Sequence, residues 1–232
     1  MSIKAFYEEL RKGLKSPAYL LYAEDEYMLK EALDAAKRSV PESGRDFLFH
    51  VYDKESPVSA EQIIDVLYMM PLTGGRQVVA VNGINLYSEK ETDAFSGYMA
   101  KPSPDSVLLM LHKGVPGKTR KEALKKAASI SLDIREAEVP VYIKDAASLK
   151  GINLSGKAIE YLIAMVGPDV GLLTAEIEKL AMAGKKDIDE ADIKEYVRSL
   201  GGYGVFDLTK ALNSGDAQKV FRIYRAISDT VE

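Results

Sequence analysis

A glycine-rich connection ending in Gly-Lys-Thr can wrap a phosphate chain, and one stretch has that look: His112-Lys113-Gly114-Val115-Pro116-Gly117-Lys118-Thr119, which follows an apolar run. Such a loop works because backbone N–H groups cradle the phosphate oxygens, the lysine reaches the β and γ phosphates, and the hydroxyl holds magnesium. Two positions break the pattern. His112 stands where the first glycine is needed, and Pro116 has no N–H to donate. Magnesium would also need an acidic residue at the end of a neighbouring strand, where Val79-Ala80-Val81-Asn82-Gly83 offers an asparagine. A P-loop-type nucleotide-binding ATPase using residues 114–119 is therefore the enzymatic alternative, and the sequence disfavours it.

Other chemistry is scarcer still. The chain has no cysteine and two histidines, which excludes disulfides, thiolate zinc sites, cysteine nucleophiles and histidine-rich metal clusters. His50 falls in an alternating apolar run and His112 at the end of another, positions suited to packing, and no general-base constellation surrounds either. Lys118, Arg120, Lys121, Lys125 and Lys126 crowd one segment, with 118, 121 and 125 on one helical face. Glu122 interrupts that face and no aromatic residues interleave to stack on bases, so it reads as a solvated helix face. The net charge of −4 adds no broad attraction to nucleic acid. No catalytic residue, cofactor or metal is expected.

At 232 residues, 47% hydrophobic and 28% charged, the chain has the make-up of a soluble globular protein with room for two packed units. Residues 1–14 read as an amphipathic helix (Phe6, Leu10, Leu14) without an export signal. The longest apolar stretches are strand-sized, so no membrane span and a cytoplasmic location are expected.

The first part alternates strands and helices. Residues 18–23 predict a strand and 24–38 a helix, with Leu29, Ala32, Leu33 and Ala36 at helical spacing. Residues 46–52 alternate as a second strand. Ser59 and Gln62 form a capping-box signature ahead of a core stripe of Ile63, Val66, Leu67 and Met70, and the Pro71 to Gly75 stretch breaks that helix. Strands follow at 77–81 and 107–111, then a helix over 118–128 and an edge strand over 129–134. Such alternation predicts a mostly parallel sheet covered by helices. Residues 139–155 show no clear periodicity. Beyond them the chain reads as short helices over 157–166, 169–183 and 189–200, with further helices over 206–213 and 216–229.

Five segments in order carry a family likeness: Tyr19-Leu20-Leu21-Tyr22-Ala23-Glu24-Asp25-Glu26-Tyr27; Met70-Pro71-Leu72-Thr73-Gly74-Gly75-Arg76-Gln77-Val78-Val79; Val107-Leu108-Leu109-Met110 with Lys118 to Lys126 behind it; Gly167-Pro168-Asp169, Leu172-Leu173 and Glu176-Ile177-Glu178-Lys179-Leu180; and Val205-Phe206-Asp207-Leu208-Thr209. Glu176 to Leu180 alone would suit any amphipathic helix. Together the segments span nearly the whole chain, and the pattern resembles the delta-subunit family of the bacterial DNA polymerase III clamp loader, an AAA+ relative that lacks the ATP loop.

The resemblance implies an α/β fold: an AAA+-like, mostly parallel sheet domain (1–140) that binds the clamp, a small all-α lid domain (141–203), and the start of a further helical collar domain (204–232). The first strand-turn-helix is where the AAA+ plan would place a phosphate loop, and Glu24, Asp25 and Glu26 occupy it. A carboxylate about 4 Å from a phosphate charge repels it by about 4 kcal/mol at an effective dielectric of 20. The same acidic run also makes a favourable helix start.

The function implied is binding the sliding clamp (beta subunit) and opening its ring for loading onto primed DNA during replication, with no catalytic site in this chain, although the DNA polymerase III holoenzyme it would serve is a DNA-directed DNA polymerase. Implied partners are the other clamp-loader subunits, reached through a collar that is mostly missing, with only weak DNA backbone contact in the assembled loader. The implied clamp-binding residues are Met70, Leu72 and Thr73. Leu72 matches the first of the family's paired apolar wedge residues, while Thr73 departs from the usual large apolar second. Leu72 either projects from the turn between Pro71 and Gly74 or packs beneath it, and the sequence leaves both readings open.

Overall fold

A computed structural model describes residues 3–53, 58–71 and 74–197, together with 211, 212, 215, 217, 218, 220, 221 and 224 near the C-terminus. The chain divides into two compact units, residues 1–133 and 134–232. This division lies short of residue 140, because residues 134–138 run straight into a helix of the second unit.

In the first unit the elements are α1 (Ile3–Lys12), β1 (Ala18–Ala23), α2 (Glu26–Ser39), α3 (Arg45–Leu48), β2 (Phe49–Tyr52), α4 (Ala60–Tyr68), β3 (Gln77–Asn82), α5 (Glu89–Tyr98), β4 (Ser106–Lys113), α6 (Lys118–Ala123) and β5 (Ala128–Ser131). The strands form one all-parallel sheet in the order β2-β3-β4-β1-β5. Parallel strands covered on both faces need near-continuous apolar runs, and seven of the eight β4 residues are buried. One face carries Leu20, Val79, Val81, Leu108 and Met110 against Ile63 and Leu67 of α4 and Phe95 of α5. On β1, Tyr19 lies beside Phe6 of α1 with ring centroids 5.7 Å apart, so the amphipathic first helix closes part of the core.

Helix starts follow the capping residues. Asp25 accepts the Tyr27 N–H at 2.8 Å ahead of α2. Ser59 and Gln62 make the reciprocal capping box of α4. Removing the Ser59 hydroxyl frees the Gln62 N–H, so Ser59→Ala should lower the unfolding free energy by ~1 kcal/mol, read from urea or thermal melts.

Several elements differ from the sequence expectation. The strand expected over 46–52 begins only at Phe49, where β3 supplies partners from Val78 onward; the residues before it form α3, whose Leu48 is buried. The helix expected over 118–128 stops at Ala123. Helix α5 was not expected, because only Thr92, Phe95 and Tyr98 of its ten residues point inward.

The second unit holds α7 (Val139–Leu149), β6 (Asn153–Leu154), α8 (Gly156–Val166), α9 (Val170–Met182), β7 (Asp187–Ile188) and α10 (Glu190–Tyr196). Its core gathers Ile143, Leu162, Leu173, Ile177, Leu180 and Ile193, all fully buried or nearly so. Helix α7 occupies the stretch that showed no periodicity: Val139, Ile143 and Ala147 recur every four residues, but the exposed Val141 and Leu149 blur the stripe. Gly167 (φ 92°) and Gly184 (φ 78°) turn the chain out of α8 and α9 in the left-handed region that other residues avoid. The small parallel pair β6–β7 was also unforeseen, since two-residue strands leave no period to read. Most of the expected collar segment, 204–232, lies outside the described residues.

Candidate protein-interaction site

The connection from α4 to β3 is built on two buried anchors. Gln77, nearly fully buried at the start of β3, places its amide nitrogen against Val66 O at 2.9 Å, Met69 O at 3.0 Å and Ser106 Oγ at 2.9 Å. Ser106 Oγ in turn donates to Leu67 O at 2.7 Å, so the sheet meets carbonyls at the C-terminal end of α4, adding to the Met69 N–H that Val66 O already accepts at 3.1 Å. Next to it Arg76 donates to Leu14 O and to Ser106 O. The chain leaves helical geometry at Met69 (ψ 135°), and Gly74 (φ 69°) and Gly75 (φ 86°) bring it back to β3 through conformations that suit glycine. The segment is thus held firmly where it leaves the helix and where it enters the strand.

At the helix end of this segment the described surface is apolar. Met70, which the helical stripe would have placed in the core, lies beyond the end of α4 and is 77% exposed. Tyr68 and Met69 are exposed beside it. Leu72 and Thr73 lie outside the described residues. The sequence reading missed Tyr68, Met69 and Phe47 as surface residues; the signal for the first two was Pro71, which cannot continue the helix and so strips the last turn of its cover.

The turn after β1 is where a phosphate would bind in a parallel sheet of this order, because the connections from the neighbouring strands β1 and β4 leave in opposite directions at their carboxyl ends. Here two backbone donors are already used. The Glu24 N–H goes to Asp133 Oδ1 at 2.8 Å, the Tyr27 N–H to Asp25, and Lys113 pairs with Glu26. Four carboxylates, those of Glu24, Asp25, Glu26 and Asp133, therefore line or cap this turn. A cleft of ≈ 840 Å³ opens beside it, lined by Glu26, Tyr27, Asn82, Gly83 and Lys113 among others. Its charged groups are of both signs, Glu26 and Asp53 against Lys30 and Lys113.

The 112–119 segment forms the connection from β4 to α6. His112 is buried, which pushes its pKa down, and its Nδ1 lies 2.9 Å from Gly114 O. The Gly114 N–H is spent on Ala23 O at 2.7 Å. Lys118 is exposed at the start of a six-residue helix. In the basic segment Arg120 donates to Tyr87 O at 2.7 Å, Lys125 pairs with Glu122, and Lys121 lies 5.6 Å from the Tyr22 ring centre. Among the described residues no group of acidic side chains and histidines could hold a metal ion, and no helix is long and apolar enough to cross a membrane.

Comparison with known proteins agrees with this geometry. The family profile described as DNA polymerase III, delta subunit matches residues 19–135. A DNA polymerase III subunit delta of Bacillus subtilis (strain 168) is 26% identical over 218 residues, which cover 87% of this chain and 62% of that protein. The chain thus spans less than two thirds of the length of that relative. Among solved structures, the Bacillus subtilis DNA clamp loader delta protein superposes with a TM-score of 0.68 at 23% identity, over 99% of this chain and 72% of the other. The RuvB Holliday junction branch migration motor of Thermotoga maritima gives a TM-score of 0.55 at 15% identity, over 94% and 77%. These likenesses show the fold, an AAA+-like parallel five-stranded sheet followed by helices.

Proposed function

Since the chain belongs to the DNA polymerase III delta-subunit family, a clamp-loader component of DNA replication, we propose that it works by binding the ring-shaped sliding clamp and opening one of its interfaces, without hydrolysing ATP itself. The observation that carries this reading is the exposed apolar end of α4, with Met70 leading into Leu72 and Thr73, on a segment anchored by Gln77 and Arg76. An apolar surface on a rigid base is what a protein pocket recognises, because little ordering entropy is lost on binding. In this reading Met70 and Leu72 enter the clamp, and Thr73 adds a smaller contact. ATP binding by neighbouring motor subunits in the cytoplasm controls access to the surface, a population shift that needs differential contact in the two states. The remaining loader subunits are the other partners, and the exposed lysines of the 118–126 segment supply at most backbone contact to DNA in the assembled loader. The direct test is surface plasmon resonance against the purified clamp of the same organism; absence of saturable binding at micromolar chain would sink the proposal.

The absence of nucleotide chemistry is testable separately. The Glu24 and Tyr27 N–H groups are taken by carboxylates and the Gly114 N–H by Ala23 O. Calorimetric titration with magnesium-ATP at millimolar concentration should therefore be flat. Saturable heat that disappears in Lys118→Ala would reinstate the 114–119 segment as a nucleotide site.

A further inference from the structure

Four large side chains stand in solvent at one end of the sheet: Phe47, Tyr68, Met69 and Met70 are 60%, 52%, 61% and 77% exposed. Their places follow from the strand starts. Met69 O is bonded to Gln77, the first residue of β3. Phe47 precedes by two residues Phe49, the first residue of β2, which pairs with Val78 of β3. Neighbouring strands run about 4.8 Å apart, so Phe47, two residues before β2, and Met69, whose carbonyl meets the first side chain of β3, lie toward the same end of the sheet. Helix α3 also packs toward the connecting segment, since Leu48 Cδ1 lies 3.8 Å from where a Cβ on Gly75 would be. On the other flank Tyr68 is fixed by an edge-on contact with Tyr98 (5.2 Å between ring centres) and by donating to Lys101 O at 3.0 Å.

We propose that the clamp-binding surface extends beyond Met70, Leu72 and Thr73 to Phe47 on one flank and Tyr68 on the other, forming an aromatic-methionine strip along this end of the sheet. The proposal rests on the clamp-binding reading above and adds the second contact area. The held Tyr68 ring loses little entropy on docking, and methionines adapt to an irregular apolar pocket. The exposed charges on the same elements, Asp46 on α3 and Glu61 and Asp65 on α4, are acidic, the Arg45 guanidinium of α3 is spent on Lys37 O and Val40 O, and Lys101 beside Tyr68 is an exposed cation next to the strip, a balance that suits a protein better than nucleic acid. Continuity with the exposed Met70 selects the clamp as that protein.

The experiment uses the 232-residue chain and the purified clamp of the same organism, with affinity, melting temperature and sedimentation measured on each variant. Phe47→Ala should lose about tenfold in clamp affinity with an unchanged melting temperature, and Phe47→Tyr, which keeps the ring, should retain it. Full affinity in Phe47→Ala alongside weakened binding in Leu72→Ala overturns the extension and leaves the function standing. No weakening in either variant overturns both. A loss that tracks a lower melting temperature and is not recovered in Phe47→Tyr marks a structural side chain and also overturns the extension. So does a wild-type chain that self-associates through Phe47 with clamp affinity untouched, because the occupant is then a second copy.

Discussion

Leu72→Ala is expected to weaken clamp binding by about thirtyfold, ~2 kcal/mol, while leaving the melting temperature within a degree or two of the wild type. The expectation rests on the two ends of the segment. Upstream, α4 stops at Tyr68 and Met70 is already in solvent, followed by a half-buried Pro71. Downstream, Gly74 and Gly75 are exposed, and an added Cβ at Gly74 would meet nothing within 4 Å. With both flanking stretches exposed, truncating the leucine is expected to remove contact with a partner instead of leaving a cavity. Core placement would show the opposite signature, a stability loss of about 2–5 kcal/mol with clamp affinity changed only through the unfolded fraction. Measuring both quantities on one variant separates the cases, and unchanged clamp affinity would remove Leu72 from the interface. Thr73→Ala should have a much smaller effect, since truncating threonine removes little apolar area.

The sheet was legible in the sequence wherever burial on both faces forced continuous apolar runs, as in 77–81 and 107–111, and the helices wherever a capping residue preceded a stripe, as with Ser59 and Asp169. It failed where tertiary partners decide the outcome. Phe47, Phe49 and Val51 alternate like a strand, yet residues 45–48 coil because β3 offers no partner before Val78. In α5 three inward residues among ten suffice because α4 and the sheet supply the rest of the core, and periodicity cannot register so sparse a stripe. At the candidate site it was the family resemblance that named Met70, Leu72 and Thr73, of which Met70 is seen in solvent, while the sequence left Leu72 open and marked the Glu24-Asp25-Glu26 turn by its acidic run. Two facts were beyond its reach. Asp133, more than a hundred positions away, supplies the carboxylate that takes the Glu24 N–H, and Gln77, one more polar residue at a strand start, holds the end of α4. Both are long-range hydrogen bonds, which leave no periodic trace.

Gln77 should be the most sensitive polar position in the sheet unit. Its amide nitrogen has two hydrogens and serves three oxygens, the carbonyls of Val66 and Met69 and the hydroxyl of Ser106. Gln77→Ala takes this donor from one buried and two partly buried acceptors and opens a void, for an expected loss of ~2–4 kcal/mol in unfolding free energy. The same change frees Met69 O, so clamp affinity should fall a few-fold through a looser 69–75 segment even at temperatures where the variant is fully folded. Gln77→Glu sharpens the argument because it keeps the shape and replaces the donor with a carboxylate facing three oxygens. Burial and those acceptors favour the protonated acid, which can donate, so the folded state holds a proton that the unfolded chain releases near the ordinary glutamate pKa. The folded form then binds more protons than the unfolded form, and stability rises as pH falls. Gln77→Glu should accordingly melt well below wild type at pH 8 and recover part of the gap at pH 5, whereas the deficit of Gln77→Ala should not vary with pH. A deficit in Gln77→Glu that stays constant between the two pH values, or a Gln77→Ala stability within about 0.5 kcal/mol of wild type, would show that the end of α4 is held by something other than this amide.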